Sequence, residues 1–126
     1  TSISHFVRQG IGGRYVVRRL KSGSPDAKAV EQLKRYCDQQ LGKPYDLGFM
    51  WSDEKMYCSE LVWKAYRSGM GLAVGEPQKL GSLKLSDPRV QTLMRKRYGN
   101  EIPYDEPMIS PGRLFDSPLL ETVVQK

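Results

Sequence analysis

The residues best suited to chemistry lie in Tyr57-Cys58-Ser59-Glu60-Leu61-Val62-Trp63, where a cysteine falls at the expected first turn of an amphipathic helix. Cys58, Leu61, Val62, Ala65 and Tyr66 recur at helical spacing and share one face. Ahead of them, Ser52-Asp53-Glu54-Lys55 reads as loop. A thiol at a helix N-terminus meets backbone N–H groups without intrahelical partners and the positive end of the macrodipole. Both favour the thiolate, the form a nucleophilic cysteine needs. The competing reading makes Cys58 a small apolar residue at the head of a core stripe. Glu60, one turn in, is expected to complement the helix dipole rather than to act as an acid.

The remaining chemistry-bearing residues narrow the choice. Cys37 falls in a helical stripe with Val30, Leu33 and Leu41 and is expected to pack in the core rather than to pair with Cys58. Two separated cysteines and one remote histidine, His5, lack zinc-site spacing, so no metal is expected. Gly10 to Gly13 lacks the following helix and lysine-serine pair of a phosphate loop, and no cofactor is expected. Asp53 and Glu54, adjacent acids in a loop, read as solvated.

Twenty basic against fourteen acidic residues give a net charge of +6, which suits an anionic neighbourhood such as lipid headgroups or cell-wall polymer. The basic residues are scattered (Arg14, Arg18, Arg19 and Lys21, then Arg95, Lys96 and Arg97) with no recognition motif among them, so no nucleic-acid partner is expected. Hydrophobic content of 39% and a mean hydropathy of −0.54 indicate an ordinary globular chain. No apolar run approaches the roughly 18 residues of a spanning helix, and the first residues do not read as a signal peptide.

The elements that must position Cys58 follow from periodicity and caps. Arg14 to Leu20 reads as a strand, rich in β-branched residues and flanked by glycines. Ser24-Pro25 opens a helix to about Leu41, stopped by Gly42. The Cys58 helix runs to about Ser68, with Gly69 and Gly71 ending it, and Gly71 to Lys84 reads as loop with one short turn. Ser86-Asp87-Pro88 opens a third helix closed by Gly99, Ile102 to Pro107 is loop, and Ser110-Pro111 starts a helical turn. Leu119 to Val124 alternates like a closing strand. Residues 1–126 are expected to form one domain of α+β class.

Leu41-Gly42-Lys43-Pro44-Tyr45-Asp46 followed by Tyr57-Cys58-Ser59-Glu60-Leu61-Val62-Trp63 resembles the cysteine hydrolases of the NlpC-type cell-wall peptidase superfamily. The closer likeness is to its circularly permuted branch, the YiiX/YaeF-like permuted papain-fold amidases. GGRYVVRRL, LGKPYDLGFMWSD, YCSELVW, LSDPRVQ, RYG and ISPGRLFDSPLL stand here in the order that branch leads one to expect. The resemblance extends from about Phe6 to Val124. It implies an antiparallel sheet packed on the cysteine helix, Cys58 as catalytic nucleophile, and Tyr45 and Tyr57 in the substrate pocket.

The same resemblance places the partner histidine before the cysteine, on a strand separated from GGRYVV by an intervening region. His5 stands too close to Gly12-Gly13 for that role and reads as part of a frayed terminus. It is expected to lie beyond the roughly 4 Å that a thiolate–imidazolium pair needs. The chain therefore reads as the C-terminal part of a longer, processed or truncated enzyme. The function implied is a thiol hydrolase cleaving an amide, in cell-wall peptide or an N-acylated amine, in the periplasm or cell envelope. Alternatives are a lipid-directed thiol acyltransferase or esterase, and a non-catalytic ligand-binding fragment. The partners implied are a small-molecule, peptide or lipid substrate and peripheral contact with an anionic membrane or cell wall.

Overall fold

The computed structural model describes residues 2–126. Five helices and four short strands follow one another: α1 (Ile3–Gln9), β1 (Val16–Leu20), α2 (Ala27–Gln39), α3 (Cys58–Met70), β2 (Gln78–Lys79), α4 (Pro88–Tyr98), β3 (Pro107–Met108), α5 (Pro111–Phe115) and β4 (Leu120–Gln125). The class is α+β. The sheet component consists of two separate antiparallel ribbons, β1 with β4 and β2 with β3.

Local capping chemistry sets most helix starts. Asp87 accepts from the Arg89 N–H ahead of Pro88, and Ser110 from the Arg113 N–H ahead of Pro111, as the sequence leads one to expect. α2 starts later than Ser24-Pro25 suggests, because the Asp26 carboxylate accepts from the Ala29 N–H at 2.7 Å and takes the cap position. α3 continues through Gly69 to Met70 and closes on Gly71, whose φ of +68° is the left-handed cap that glycine adopts without strain. Gly69 lies inside the helix because it allows α2 close: a Cβ there would stand 3.1 Å from Leu33.

Three further expectations are corrected. The first residues form a short helix capped by Ser2 rather than a frayed end. The supposed loops Gly71–Lys84 and Ile102–Pro107 contribute β2 and the start of β3, each strand only two residues long. Cys37 is exposed, as are Val30 on the same helix and Leu41 just beyond its end. α2 packs on α3 through the Leu33 side, and the stripe that periodicity marked as core is only partly covered.

The core lies between the start of α3, α4 and the β2–β3 ribbon. Tyr57, Leu80, Met94, Met108 and Ile109 form its buried centre, with Phe49, Trp51 and Trp63 packed on it. Phe49 meets Tyr57 edge-on at 5.2 Å, and Trp51 meets Trp63 at 5.3 Å. Gly75 is fixed by close approach: with φ +85°, a Cβ would fall 2.3 Å from the Arg113 carbonyl oxygen. Its own carbonyl accepts from the Trp63 indole N–H at 2.9 Å. No helix among the described residues is long and apolar enough to cross a membrane.

Candidate functional site

Cys58 is the first residue of α3 and is exposed, while both of its neighbours are buried. The cause is a pair of hydrogen bonds to one backbone unit. Ser59 Oγ donates to the Ile109 carbonyl at 2.7 Å, and the Ile109 N–H donates to the Tyr57 hydroxyl at 3.1 Å. Ile109 is fully buried, so this clamp ties the helix start to the segment leading from β3 into α5. With Tyr57 and Ser59 turned inward, the side chain between them must face out.

Glu60 completes the helix start. Its carboxylate accepts from the Tyr57 N–H at 3.4 Å, the reciprocal half of a capping box. It is 0% exposed and lies 2.8 Å from the Lys64 ammonium one turn on. Burial pushes the Glu60 carboxyl above its ordinary range, and the Lys64 charge opposes that shift. Lys64 also donates to the Ser52 carbonyl and to Asp53, both at 2.8 Å, and lies over the Trp51 ring. The Ser52–Lys55 loop is thereby tied to α3, and Asp53 is an ion-pair partner rather than a merely solvated acid.

These contacts correct the face assigned from periodicity. α3 buries Ser59, Glu60 and Ala65, whereas Cys58 and Val62 remain exposed. Polar side chains occupy inward positions because each finds a partner, which removes most of the cost of burying them. Tyr57, expected in the substrate pocket, is only 1% exposed and belongs to the core. Burial pushes its phenol up to about 12, so the neutral hydroxyl remains an acceptor for Ile109. That hydroxyl holds the start of α3 to Ile109 and does not line the exposed surface beside Cys58.

Tyr45 reaches the thiol from the preceding loop. A parallel bridge holds that loop beside α3, with the Asp46 N–H on the Met56 carbonyl at 3.1 Å and the Met56 N–H on the Pro44 carbonyl at 3.2 Å. Asp46 is buried and accepts from the Gly48 and Met50 N–H groups at 2.8 and 2.7 Å, folding the loop back on itself. The Tyr45 hydroxyl then lies 4.0 Å from Cys58 Sγ. Partial burial and the hydrogen bond to Cys58 push the Tyr45 phenol up, so it keeps its proton and remains a donor.

Asp46, Ser59 and Lys64 were not singled out from sequence. An aspartate two residues before a glycine is a recognisable turn signal. The inward role of Ser59 and Lys64 has no comparable local mark. His5 lies on α1, where its ring nitrogen is 3.1 Å from the Gln9 side-chain amide. The hydrogen-bond partner described for Cys58 is Tyr45. Among the described residues no three His, Cys, Asp or Glu side chains cluster as a metal site. Glu60 and Asp53 already share the Lys64 ammonium.

Comparison with known proteins places this geometry in a family. A family model described as permuted papain-like amidase enzyme, YaeF/YiiX, C92 family, matches residues 1–124. The protein YiiX of Escherichia coli (strain K12) is 44% identical over 129 residues, a match spanning 100% of this chain and 62% of that protein. The crystal structure of the metalloprotein yiiX from Escherichia coli O157:H7 superposes with a TM-score of 0.92 at 43% identity, covering 100% of this chain and 69% of that one. Among the described residues the donor set does not fit the metal that this neighbour's description implies. The chain belongs to the permuted papain-like amidase family.

Proposed function

We propose that this member of the permuted papain-like amidases carries the nucleophile of a thiol hydrolase, Cys58, which cleaves an amide in a peptide or N-acylated amine. The observation that carries the reading is the exposed thiol at the first position of α3, fixed by the Tyr57–Ile109–Ser59 clamp beside the Tyr45 hydroxyl. The Cys58 thiolate attacks the amide carbonyl carbon, and the carbonyl electron pair moves onto oxygen. Tyr45 and the unpaired N–H groups of the first helical turn are the donors at hand for that oxyanion. Collapse expels the amine, which leaves with the proton that a general base took from the thiol. Water then hydrolyses the thioester to carboxylic acid and free thiol.

Alkylation of the folded chain with iodoacetamide near neutral pH tests the assignment. Cys37 is the internal control, because it is also exposed but lies in the last turn of α2 rather than at a helix start. Cys58 is expected to react first, and Tyr45→Phe is expected to slow it without lowering the melting temperature, since Tyr45 is 55% exposed. In a hydrolysis panel of short peptides and N-acyl amides, Cys58→Ser should abolish any turnover while preserving the fold. Faster alkylation at Cys37, or turnover that survives Cys58→Ser, refutes the reading. A second reading, a site that holds a ligand without cleaving it, is favoured by Cys58 having a tyrosine rather than a histidine as its described partner. It requires ligand binding that Cys58→Ser leaves intact.

A further inference from the structure

Beyond Tyr45 the loop continues to Leu47, and Leu47 faces Leu93, Lys96 and Arg97 of α4 across an open groove of about 310 Å³. That is within the size range of small-ligand clefts. Leu93, Lys96 and Arg97 share a helix face by their spacing. Leu47 and Leu93 are 67% and 50% exposed, a large apolar area left open beside two cations. Among the described residues neither Lys96 nor Arg97 has an acidic ion-pair partner, whereas Arg89 on the same helix is paired with Asp87.

Three contacts join the groove to the thiol. Arg97 lies over the Phe49 ring at 4.5 Å, and the Tyr98 hydroxyl donates to the Gly48 carbonyl, so α4 and the loop are packed together. On the same loop the Tyr45 hydroxyl lies 4.0 Å from Cys58 Sγ. Leu47 is two residues from Tyr45, a backbone span of at most roughly 7 Å.

We infer that this groove is a substrate subsite for a carboxylate-bearing aliphatic residue: its carboxylate meets Lys96 and Arg97, and its side chain lies on Leu47 and Leu93. The inference rests on Cys58 being the nucleophile. The groove lining contains two cations and no acid, so it complements an anion, and its apolar floor rewards an aliphatic over a polar side chain. The favoured substrates are thus short peptides or N-acyl amino acids with a free carboxylate close to the scissile amide.

The test uses thiol-directed analogues, in which the Cys58 thiolate displaces bromide to form a thioether and the thiol proton passes to buffer. Neutral bromoacetamide first establishes whether Cys58 reacts ahead of Cys37. Bromoacetyl-leucine and bromoacetyl-glycyl-leucine are then compared with their C-terminal amides, so that two reaches from the sulfur are sampled. The acid is expected to react about threefold to fivefold faster than the amide for at least one length, the range of a single exposed charge pair. Lys96→Gln and rising salt should each reduce that ratio, and Leu93→Ala should reduce the preference for bromoacetyl-leucine over bromoacetyl-glycine. Failure of bromoacetamide to select Cys58 defeats the nucleophile assignment. Selective alkylation with an acid-to-amide ratio near one at both lengths, or unmoved by Lys96→Gln, overturns the subsite alone. Rates that follow aliphatic length without any acid preference give the groove to a neutral acyl chain and overturn it too.

Discussion

Replacing Lys64 by methionine should destabilise the fold by far more than an ordinary surface charge deletion. The side chain of Lys64 is only 13% exposed and that of Glu60 is 0% exposed, so removing the ammonium strands a buried carboxylate. Breaking a buried pair by removing one partner costs roughly 3–5 kcal/mol. The exposed Asp53 half of the network adds little, because pairs open to solvent are worth at most about 1 kcal/mol. Methionine keeps an unbranched aliphatic side chain, so lost packing contributes little, while the ammonium's contact with the Trp51 ring is lost together with the charge. A net loss of about 3 kcal/mol is therefore expected, or roughly 12 °C in melting temperature for a chain of this size.

The dependence on pH separates this cause from generic damage. Burial holds the Glu60 carboxyl above its unfolded value of 4.5, so the folded state binds that proton more tightly than the unfolded state. Stability from this group is complete below the unfolded value and falls as pH rises through the folded one. Lys64 opposes that fall, and without it the fall steepens. Urea unfolding followed by circular dichroism at pH 4.5 and pH 7 should show the Lys64→Met deficit growing with pH. Adding Glu60→Gln, whose amide oxygen still accepts from Tyr57, should recover about half of the deficit at pH 7. A deficit under 1 kcal/mol, or one equal at both pH values, would falsify the buried-pair argument.

Gly75→Ala is expected to cost at least roughly 3 kcal/mol or to prevent folding, because φ is +85° and the new Cβ would sit 2.3 Å from backbone. Thermal melts check it, and a near-neutral result would mean that α5 can shift freely. Ser59→Ala leaves the buried Ile109 carbonyl without its side-chain donor and should cost about 1–2 kcal/mol. It should also slow alkylation of Cys58 more than that of Cys37. An equal effect on both thiols would show that the clamp does not orient Cys58.

The parts of the fold that were legible in the sequence depend on residues a few positions apart. Asp87-Pro88 and Ser110-Pro111 begin α4 and α5 because cap and first turn are local chemistry, and the glycine stops that end α3 at Gly71 and α4 at Gly99 are equally local. β1 and β4 were visible because both are long enough to display strand character. β2 and β3, two residues each, carry no period and are defined only by each other. The stripe Val30, Leu33, Cys37 and Leu41 was read as core because periodicity reports amphipathicity, not whether a partner covers it. Tyr57 was misplaced for a related reason. Being next to Cys58 in sequence says nothing about sharing its surface, and alternation at a helix entry turns adjacent side chains to opposite sides.

The same alternation explains how a reactive position is held without being packed. An exposed thiol gains little orientation from its own contacts, so its direction must come from its neighbours. Here Tyr57 and Ser59 grip both the donor and the acceptor of Ile109, fifty residues away, and Glu60 anchors the backbone N–H that precedes the thiol. Each polar side chain that serves this purpose is buried with a polar or charged partner, and each was invisible to a hydrophobic pattern. It follows that Cys58 itself is nearly free of structural duty. Substitutions there should change chemistry far more than stability, while substitutions at its inward neighbours should change both.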